Sequence, residues 1–243
     1  MLKEDQSLLD VVSEICLKYQ IDLCMPVDMH GMYYFSKYWE QINQLSKLIL
    51  IQPSEEIIKF GDKGKLADFL FKKQFPHPAT ITSQTAFEKQ AQDFNFPILI
   101  KPRLLGNGDG IIRYANPEEL SRRITEQIDF FEEYVIQEFI EGVDIDCSVL
   151  CKNGKILAYT IQKGLSTSTN LESYRPAEAI EFVYDLRVLK VASELMFALK
   201  WNGVAHIDLR VRSSDGKVFI IEINPRFWGS LEGSLHVGVN FPY

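Results

Sequence analysis

Polar and apolar side chains alternate along two short arms near the end of the chain. Residues 206–211 read His-Ile-Asp-Leu-Arg-Val, and residues 221–224 read Ile-Glu-Ile-Asn. A period of two is typical of strands that bury one face. Between the arms, Ser214-Asp215-Gly216 suits a three-residue loop, because glycine tolerates the positive φ that such loops need. The pattern therefore predicts a β-hairpin with one polar face.

The loop length fixes which residues of this hairpin face each other. A three-residue loop pairs Ser213 with Lys217, Asp208 with Glu222, and His206 with Asn224. A two-residue loop would set Asp208 opposite Ile221, and such a slip is disfavoured when one face of the hairpin is buried. Asp208 and Glu222 are therefore expected to be cross-strand neighbours, with Cβ atoms ~5 Å apart.

Paired carboxylates on the polar face indicate a cation site. Two carboxylates that close repel each other unless a cation or a proton lies between them. Mg²⁺ prefers hard oxygen ligands and often shares its coordination shell with phosphates. Asn224 adds a neutral oxygen, and Arg226 adds a positive charge just beyond the strand. The alternative is a solvated polar face on which a lysine or arginine neutralises the pair.

Apolar periodicity predicts further helices and strands before the hairpin. The predicted helices cover residues 7–19, 31–46, 63–73, 83–94 and 186–199. Asp185 can cap the last of these, and Asn202-Gly203 would end it. The predicted strands cover residues 21–27, 48–51, 97–101, 111–114, 145–150 and 156–162. The first sixty residues alternate helix and strand, which favours a parallel sheet, although they are too few for a complete doubly wound domain. The predicted fold class is α/β (α+β).

Short capping and turn signals place several element boundaries. Ser54, Ser83 and Asn116 stand before predicted helices and can cap them. Asn116 is followed by Pro117, and proline favours the first helical position. Asn153-Gly154 is the strongest short hairpin signal in the chain.

Three loops are candidates for ligand contacts. Residues 101–110 follow a predicted strand, and their glycines Gly106, Gly108 and Gly110 would let backbone amides approach an anion closely. Residues 28–31 are either a ligand-binding loop at a strand end or a plain turn. Residues 164–179 have no clear period, and a loop of that length is usually functional or disordered. Arg175 is the charged residue of interest in that loop.

Composition limits the class of protein. The chain has 243 residues, of which 46% are hydrophobic and 24% are charged, an ordinary balance for a soluble globular protein. The net charge of -7 argues against a nucleic-acid partner. No apolar run approaches the ~18 residues of a membrane span, and no signal-peptide apolar region opens the chain. The cysteines lack zinc spacing, so we expect a reduced, cytoplasmic protein without a membrane partner.

Several motifs, in this order, resemble the ATP-grasp superfamily. Glu-Ile-Asn-Pro-Arg at 222–226, after an Asp-bearing strand, looks like the magnesium-binding end of biotin carboxylase, the carbamoyl-phosphate synthase large subunit and D-alanine–D-alanine ligase. Asp62-Lys63 at a helix start, Lys101 before the glycine loop, and Glu-Phe-Ile-Glu-Gly at 138–142 resemble earlier parts of the same fold. The resemblance spans about residues 60–240.

The resemblance implies a role for each matching residue. It assigns Lys63, Lys101 and the loop glycines Gly106, Gly108 and Gly110 to the phosphates of ATP. It assigns Glu138, Phe139 and Ile140 to adenine and Asp144 to the ribose hydroxyls. It assigns Asp208, Glu222 and Asn224 to Mg²⁺, with Mn²⁺ possible in its place. Arg226 and Lys101 would stabilise the transferred phosphoryl group, since a planar guanidinium suits a bidentate contact.

The resemblance also implies a domain plan and a reaction. Residues 1–61 would form a partial Rossmann-like domain that precedes the grasp, residues 62–137 its N-terminal lobe, and residues 138–243 its C-terminal lobe. The implied activity is that of a ligase, which converts a carboxylate to an acyl phosphate for attack by an amine or another nucleophile. Both substrates would be small molecules, and the enzyme would be a possible homodimer. The alternatives are an ATP-grasp small-molecule kinase and a non-catalytic nucleotide-binding subunit or fragment.

Overall fold

The computed structural model describes residues 2–90, 95–106, 108–127, 129–165 and 179–242. The helices in these ranges are α1 (Leu2–Tyr19), α2 (Met29–Lys37), α3 (Trp39–Leu45), α4 (Ser54–Gly61), α5 (Lys63–Lys72), α6 (Gln84–Gln90), α7 (Pro117–Thr125), α8 (Phe130–Glu133), α9 (Leu186–Leu199) and α10 (Leu231–His236). The strands are β1 (Leu23–Cys24), β2 (Lys47–Leu48), β3 (Thr80–Ile81), β4 (Ile98–Pro102), β5 (Ile112–Tyr114), β6 (Tyr134–Glu138), β7 (Gly142–Lys152), β8 (Lys155–Gly164), β9 (Ile180–Phe182), β10 (Gly203–Arg212) and β11 (Val218–Asn224).

Two antiparallel sheets organise the chain beyond its first sixty residues. One has five strands in the order β11-β10-β7-β8-β9, and the other has four in the order β3-β6-β4-β5. The five-stranded sheet buries one face against α9, α5 and the end of α4, around the fully buried Trp201. The four-stranded sheet packs against α7 and α8. This arrangement leaves the opposite face of the larger sheet available for polar side chains.

The hairpin of β10 and β11 pairs Asp208 with Glu222 as predicted, although its turn is longer than predicted and a bulge interrupts β11. The turn has four residues, 213–216, because Arg212 rather than Ser213 faces Lys217. A bulge next to Asp208 then inserts one extra residue into β11 and restores the expected register. The bulge also places Ile220, rather than the predicted Ile221, in the core.

The N-terminal segment differs from the prediction in extent. β1 and β2 are parallel, as expected, but each has only two residues instead of the predicted runs 21–27 and 48–51. Pro26 cannot donate a ladder hydrogen bond, which limits the first strand. The predicted helix 31–46 is divided into α2 and α3 at Tyr38, whose ψ of 29° leaves the helical region. Two strands of this length do not define a Rossmann-like sheet.

The predicted caps at the remaining helix starts are confirmed with one exception. Asn116 accepts a hydrogen bond from the backbone N–H of Glu119, and Ser83 accepts one from Ala86. Ser54 is not a cap, because it is the first residue of α4 itself, after Pro53. The described part of the predicted helix 83–94 ends at Gln90, and its last four residues lie outside the described ranges.

Residues with positive φ mark two chain reversals beside the five-stranded sheet. Asn153 and Gly154, with φ of 51° and 79°, form the predicted tight hairpin between β7 and β8. Asn202-Gly203 does not end α9, which stops at Leu199 and is followed by Lys200 in the left-handed region with φ of 49°. No helix in the described ranges is both long enough and apolar enough to cross a bilayer.

Gly203 joins the larger sheet to the N-terminal segment, and its substitution should be costly. Its φ is 86°, and an added Cβ would lie 2.3 Å from the carbonyl oxygen of Leu50. Gly203→Ala is expected to lower the free energy of unfolding by roughly 2–3 kcal/mol, from left-handed strain plus the clash. Gly238→Ala is the matched control, since its φ is 93° but nothing lies within 4 Å of the new Cβ. Urea unfolding measures the free energy of unfolding of both variants. Equal losses of that free energy would contradict a role for the clash with the Leu50 carbonyl.

Candidate functional site

Two rows of polar side chains cross the open face of the five-stranded sheet. Strand register aligns Glu222, Asp208, Asp146 and Gln162 in one row across β11, β10, β7 and β8. The neighbouring row is Asn224, His206, Ser148 and Thr160 on the same four strands. Alternate residues of these strands point into the apolar core, so the fold itself brings the polar set together on the other face.

The carboxylates of the first row repel one another. The side-chain amide of Asn224 donates to Glu222 Oε1 at 3.0 Å and to Asp208 Oδ2 at 3.3 Å. Burial, and then the charges of Glu222 and Asp146, hold the pKa of Asp208 well above its ordinary value. Burial likewise raises the pKa of Asp146 to about 7. The predicted metal ligands are thus brought into one cluster with an excess of negative charge, which a cation would relieve.

Two lysines that lie outside the five-stranded sheet bring positive charge to Glu222. Lys63 Nζ lies 2.9 Å from Glu222 Oε2 and also donates to the carbonyl oxygen of Leu105. Lys101, on β4, is 5% exposed. Burial opposes ionisation of Glu222, but the charge of Lys63 and then that of Lys101 outweigh it and hold the pKa of Glu222 below its ordinary value.

A partly buried ion pair and a helix cap position Lys63. Asp62 accepts hydrogen bonds from the backbone N–H groups of Gly64 and Lys65, and so caps α5. The guanidinium of Arg103 lies 3.1 Å from the Asp62 carboxylate and also donates to the carbonyl oxygen of Phe131. The start of α5, and the lysine on it, is therefore fixed to the strand that carries Lys101.

Lys101 should make stability depend on pH. Burial, partly offset by the carboxylate of Glu222, lowers the pKa of Lys101 from 10.5 to about 8. Between these values the unfolded chain binds more protons than the folded chain, so this group makes stability rise with pH across that window. Lys101→Met is expected to flatten the rise, and Lys89→Met, at an exposed position, is expected to preserve it. Urea unfolding at pH values below, within and above this range measures the change of stability with pH. If the stability of Lys101→Met changes with pH in parallel with that of wild type, the prediction is contradicted.

The glycine loop and Arg226 approach the same cluster. A Cβ built on Gly106 would lie 3.7 Å from Arg226 Nη2 and 3.8 Å from Asn224 Oδ1. Gly108 and Gly110 have φ of 79° and 71°, which glycine adopts without strain. Arg226 donates to Asn224 Oδ1 at 3.4 Å and to the carbonyl oxygen of Phe227 at 2.9 Å. Asn107 lies outside the described residues.

The segment 138–144 surrounds an arginine that sequence reasoning did not single out. The Nε of Arg210 donates to the carbonyl oxygen of Ile140, and its other nitrogens contact the carboxylate of Asp144 and the carbonyl oxygen of Gly142. Its guanidinium lies 5.2 Å from the centre of the Phe139 ring. The Glu138 side chain accepts a hydrogen bond from the backbone N–H of Ala79. Of the four predicted residues of this segment, Phe139, Ile140 and Asp144 meet at Arg210, whereas Glu138 contacts the backbone of Ala79.

A family model described as an ATP-grasp domain matches residues 60–230. The chain belongs to the ATP-grasp family. Its curated relatives include the carbamoyl phosphate synthase large chain of Pasteurella multocida, 24% identical over 177 residues, which cover 68% of this chain and 16% of that protein. Only part of such relatives is therefore represented here.

Solved structures of a ligase and of a carboxylase domain share the fold. The L-amino acid ligase of Bacillus licheniformis is 22% identical and superposes with a TM-score of 0.67, over 98% of this chain and 58% of that one. The biotin carboxylase domain of Hydrogenobacter thermophilus 2-oxoglutarate carboxylase, crystallised with MgADP, ADP and bicarbonate, is 16% identical with a TM-score of 0.72, over 96% and 54% of the two chains. At these identities the likeness establishes the fold.

The ATP-grasp motifs found in the sequence lie close together in the fold, but they supply only three of the eight side chains in the two rows, Asp208, Glu222 and Asn224. Asp146, Gln162 and Arg210 were not identified as site residues, and His206 was placed opposite Asn224 without a role. The available signal was the alternation of residues 144–149, Asp-Ile-Asp-Cys-Ser-Val, which puts two acids on one face of a strand. Of the other loops considered, residues 28–31 cap α2 through Asp28, and Arg175 lies outside the described residues.

Proposed function

We propose that the chain is an ATP-dependent ligase that activates a carboxylate as an acyl phosphate for attack by an amine or another nucleophile. One observation carries the proposal: Asp208, Glu222 and Asn224 lie together with Lys63 and Arg226, beneath a glycine loop. Phosphoryl transfer needs positioning and charge neutralisation more than covalent work by the protein. The family and the likeness to an L-amino acid ligase support ligation in particular.

The donor set of the cluster fits Mg²⁺. Asp208 and Glu222 offer carboxylate oxygens, and Asn224 can offer its amide oxygen by rotating the side chain, which now turns its NH₂ group to both carboxylates. Hard oxygens of this kind, shared with substrate phosphates, are the ligands that Mg²⁺ prefers, and Mn²⁺ accepts them also. Bound there, the ion would neutralise phosphate charge and polarise the transferred group.

The surrounding residues would hold ATP and meet the transferred charge. Lys63 and Lys101 would bind phosphate oxygens. Because Gly106, Gly108 and Gly110 have no side chains, the backbone amides of their loop could also approach the phosphates. Glu138, Phe139 and Ile140 would contact adenine, and Asp144 the ribose. Because Arg210 now holds both Asp144 and Ile140, these contacts require Arg210 to share or release its partners. Arg226 would face the phosphoryl group as it moves to the carboxylate, with Lys101 beside it.

The domain plan follows from the same proposal. Residues 62–137 would be the N-terminal lobe and residues 138–243 the C-terminal lobe, with small-molecule substrates bound where the two meet. Residues 1–61 would correspond to part of a Rossmann-like domain that precedes the grasp. The amine and carboxylate would come from the cell's small-molecule pool, consistent with a cytoplasmic enzyme.

Ligand linkage provides the test of the nucleotide and metal assignment. A ligand that binds only the folded state raises its stability, and here Mg²⁺ would relieve the repulsion among the carboxylates while bridging them to phosphate. The thermal shift with Mg-ATP is therefore expected to exceed clearly the shift with ATP plus chelator. Mg²⁺ alone is the control. Equal shifts with and without the metal would refute the assignment.

Product analysis tests the reaction itself. Amino acids and small acids are screened in pairs for stimulated ADP release, and the products are identified by mass. A new amide that appears with ADP and phosphate supports ligation. A stable phosphorylated product would indicate a kinase instead, and nucleotide binding without turnover of any pair would indicate a non-catalytic subunit.

A further inference from the structure

A second group of donor atoms, which mixes an imidazole nitrogen with carboxylate oxygens, adjoins the proposed magnesium ligands. Asp146, His206 and Asp208 each offer one ligand atom, and these atoms lie within 4.8 Å of one another. His206 Nε2 lies 3.3 Å from Asp208 Oδ1 and 3.8 Å from Asp146 Oδ2. Donors bound about 2.1 Å from one metal ion are separated by roughly 3–4 Å. The two distances from His206 Nε2 fall in that range, so the imidazole and the two carboxylates suit a shared cation.

The His206 ring is held in the orientation that a ligand needs. Its Nδ1 lies 2.8 Å from Ser148 Oγ, and its plane stacks on Trp228 at an angle of 17°. The side chain is 12% exposed. The hydroxyl of Ser148 thus occupies the outer nitrogen and leaves Nε2 directed between the carboxylates, the usual support for a metal-bound histidine.

Asp146 has outer support of the same kind. Gln162 Nε2 donates to Asp146 Oδ2 at 3.1 Å, and Gln162 Oε1 accepts a hydrogen bond from Ser230. The carboxylate is therefore oriented by a chain of hydrogen bonds that begins outside the cluster. Such second contacts fix ligand geometry before an ion arrives.

The two oxygens of Asp208 face different neighbours. Oδ2 accepts from Asn224, on the side of Glu222, while Oδ1 faces His206. One carboxylate can therefore contribute an oxygen to each of two adjacent cations. Two metal ions that share a carboxylate are a common arrangement where phosphate oxygens are bound.

We propose that Asp146, His206 and Asp208 form a second divalent-cation site, distinct from that of Glu222 and Asn224 and joined to it through Asp208. An imidazole nitrogen with two carboxylates favours a transition-series ion such as Mn²⁺ over Mg²⁺, which prefers oxygen ligands alone. The inference rests on the proposed function only in taking Asp208 as shared with a magnesium site.

Mn²⁺ added to the metal-free full chain is the probe, followed by electron paramagnetic resonance. Wild type is expected to bind two ions, one of which excess Mg²⁺ displaces. The ion that remains should show ¹⁴N modulation from a coordinated imidazole. His206→Gln is expected to lose that modulation and the Mg²⁺-resistant ion. His236→Gln, which alters a histidine side chain that is 77% exposed, is expected to keep both.

The wild-type spectrum decides the matter even where His206→Gln fails to fold. Absence of ¹⁴N modulation, with all bound Mn²⁺ displaced by Mg²⁺, would overturn the second site. If Mg-ATP still shifts the melting temperature in that case, the proposed function stands and the second site alone is refuted. If ¹⁴N modulation is seen but Mg-ATP does not shift the melting temperature, the second site stands and the nucleotide assignment is refuted.

Discussion

Arg226→Ala is expected to slow turnover by about 10²–10³-fold, equivalent to about 3–4 kcal/mol, while Mg-ATP affinity stays within a few-fold. In the folded chain Arg226 contacts the oxygen of the Asn224 amide and the carbonyl of Phe227, which are neutral. Among the described residues it forms no ion pair with a carboxylate. Its charge is therefore available to a phosphoryl group that gains negative charge in the transition state, and such contacts act on rate rather than on binding.

Two further variants sharpen this prediction. Arg226→Lys should rescue little, because an ammonium cannot make the bidentate contact of a guanidinium. Arg122→Ala, at an exposed position on α7, is the matched control and should retain wild-type turnover. The measurement is substrate-dependent ADP release beside nucleotide titration for each variant. Wild-type turnover by Arg226→Ala would refute the role, and loss of its fold would show that the residue is structural.

The hairpin shows both the strength and the limit of local sequence patterns. Asp208 and Glu222 were paired correctly, although the loop was taken as one residue too short. The bulge at Ile221 compensates for that residue. The continuous apolar run at 218–221 breaks the alternation and was the only local sign of a bulge. Burial of one face selects the pairing, while the detailed path of the turn depends on contacts that a two-residue period does not encode.

Contacts between distant parts of the chain account for what the sequence did not predict. The order β11-β10-β7-β8 brings Asp146 beside Asp208, but strand order in an antiparallel sheet cannot be read from the alternation of each strand. Arg210 was expected only as a polar residue of the hairpin, and its partners come from the segment 138–144. The N-terminal strands were predicted too long for a related reason. Their apolar runs were present in the sequence, but in the described part of the chain no neighbouring strand extends their ladder of backbone hydrogen bonds.

Lys63→Met is expected to lower the free energy of unfolding by about 3–5 kcal/mol without Mg²⁺, since removing one partner of a buried ion pair leaves the other uncompensated. Lys63 and Glu222 are 8% and 13% exposed, with 2.9 Å between Nζ and Oε2. The same lysine donates a hydrogen bond to the carbonyl oxygen of Leu105, so the variant should also loosen the glycine loop from β11. Lys65→Met, at an exposed position on the same helix, is the control and should change stability little.

Mg²⁺ should separate the two partners of this pair. In Lys63→Met the carboxylates of Asp146, Asp208 and Glu222 all remain, so Mg²⁺ can supply the missing positive charge and restore part of the lost stability. In Glu222→Gln one carboxylate is gone, so the ion should restore little and Mg-ATP should bind more weakly. The double variant should lose less than the sum of the single losses, because the two residues interact directly. Urea unfolding of all four proteins, with and without Mg²⁺, measures each term. An equal gain from Mg²⁺ in both single variants would mean that Glu222 is not a ligand of the ion.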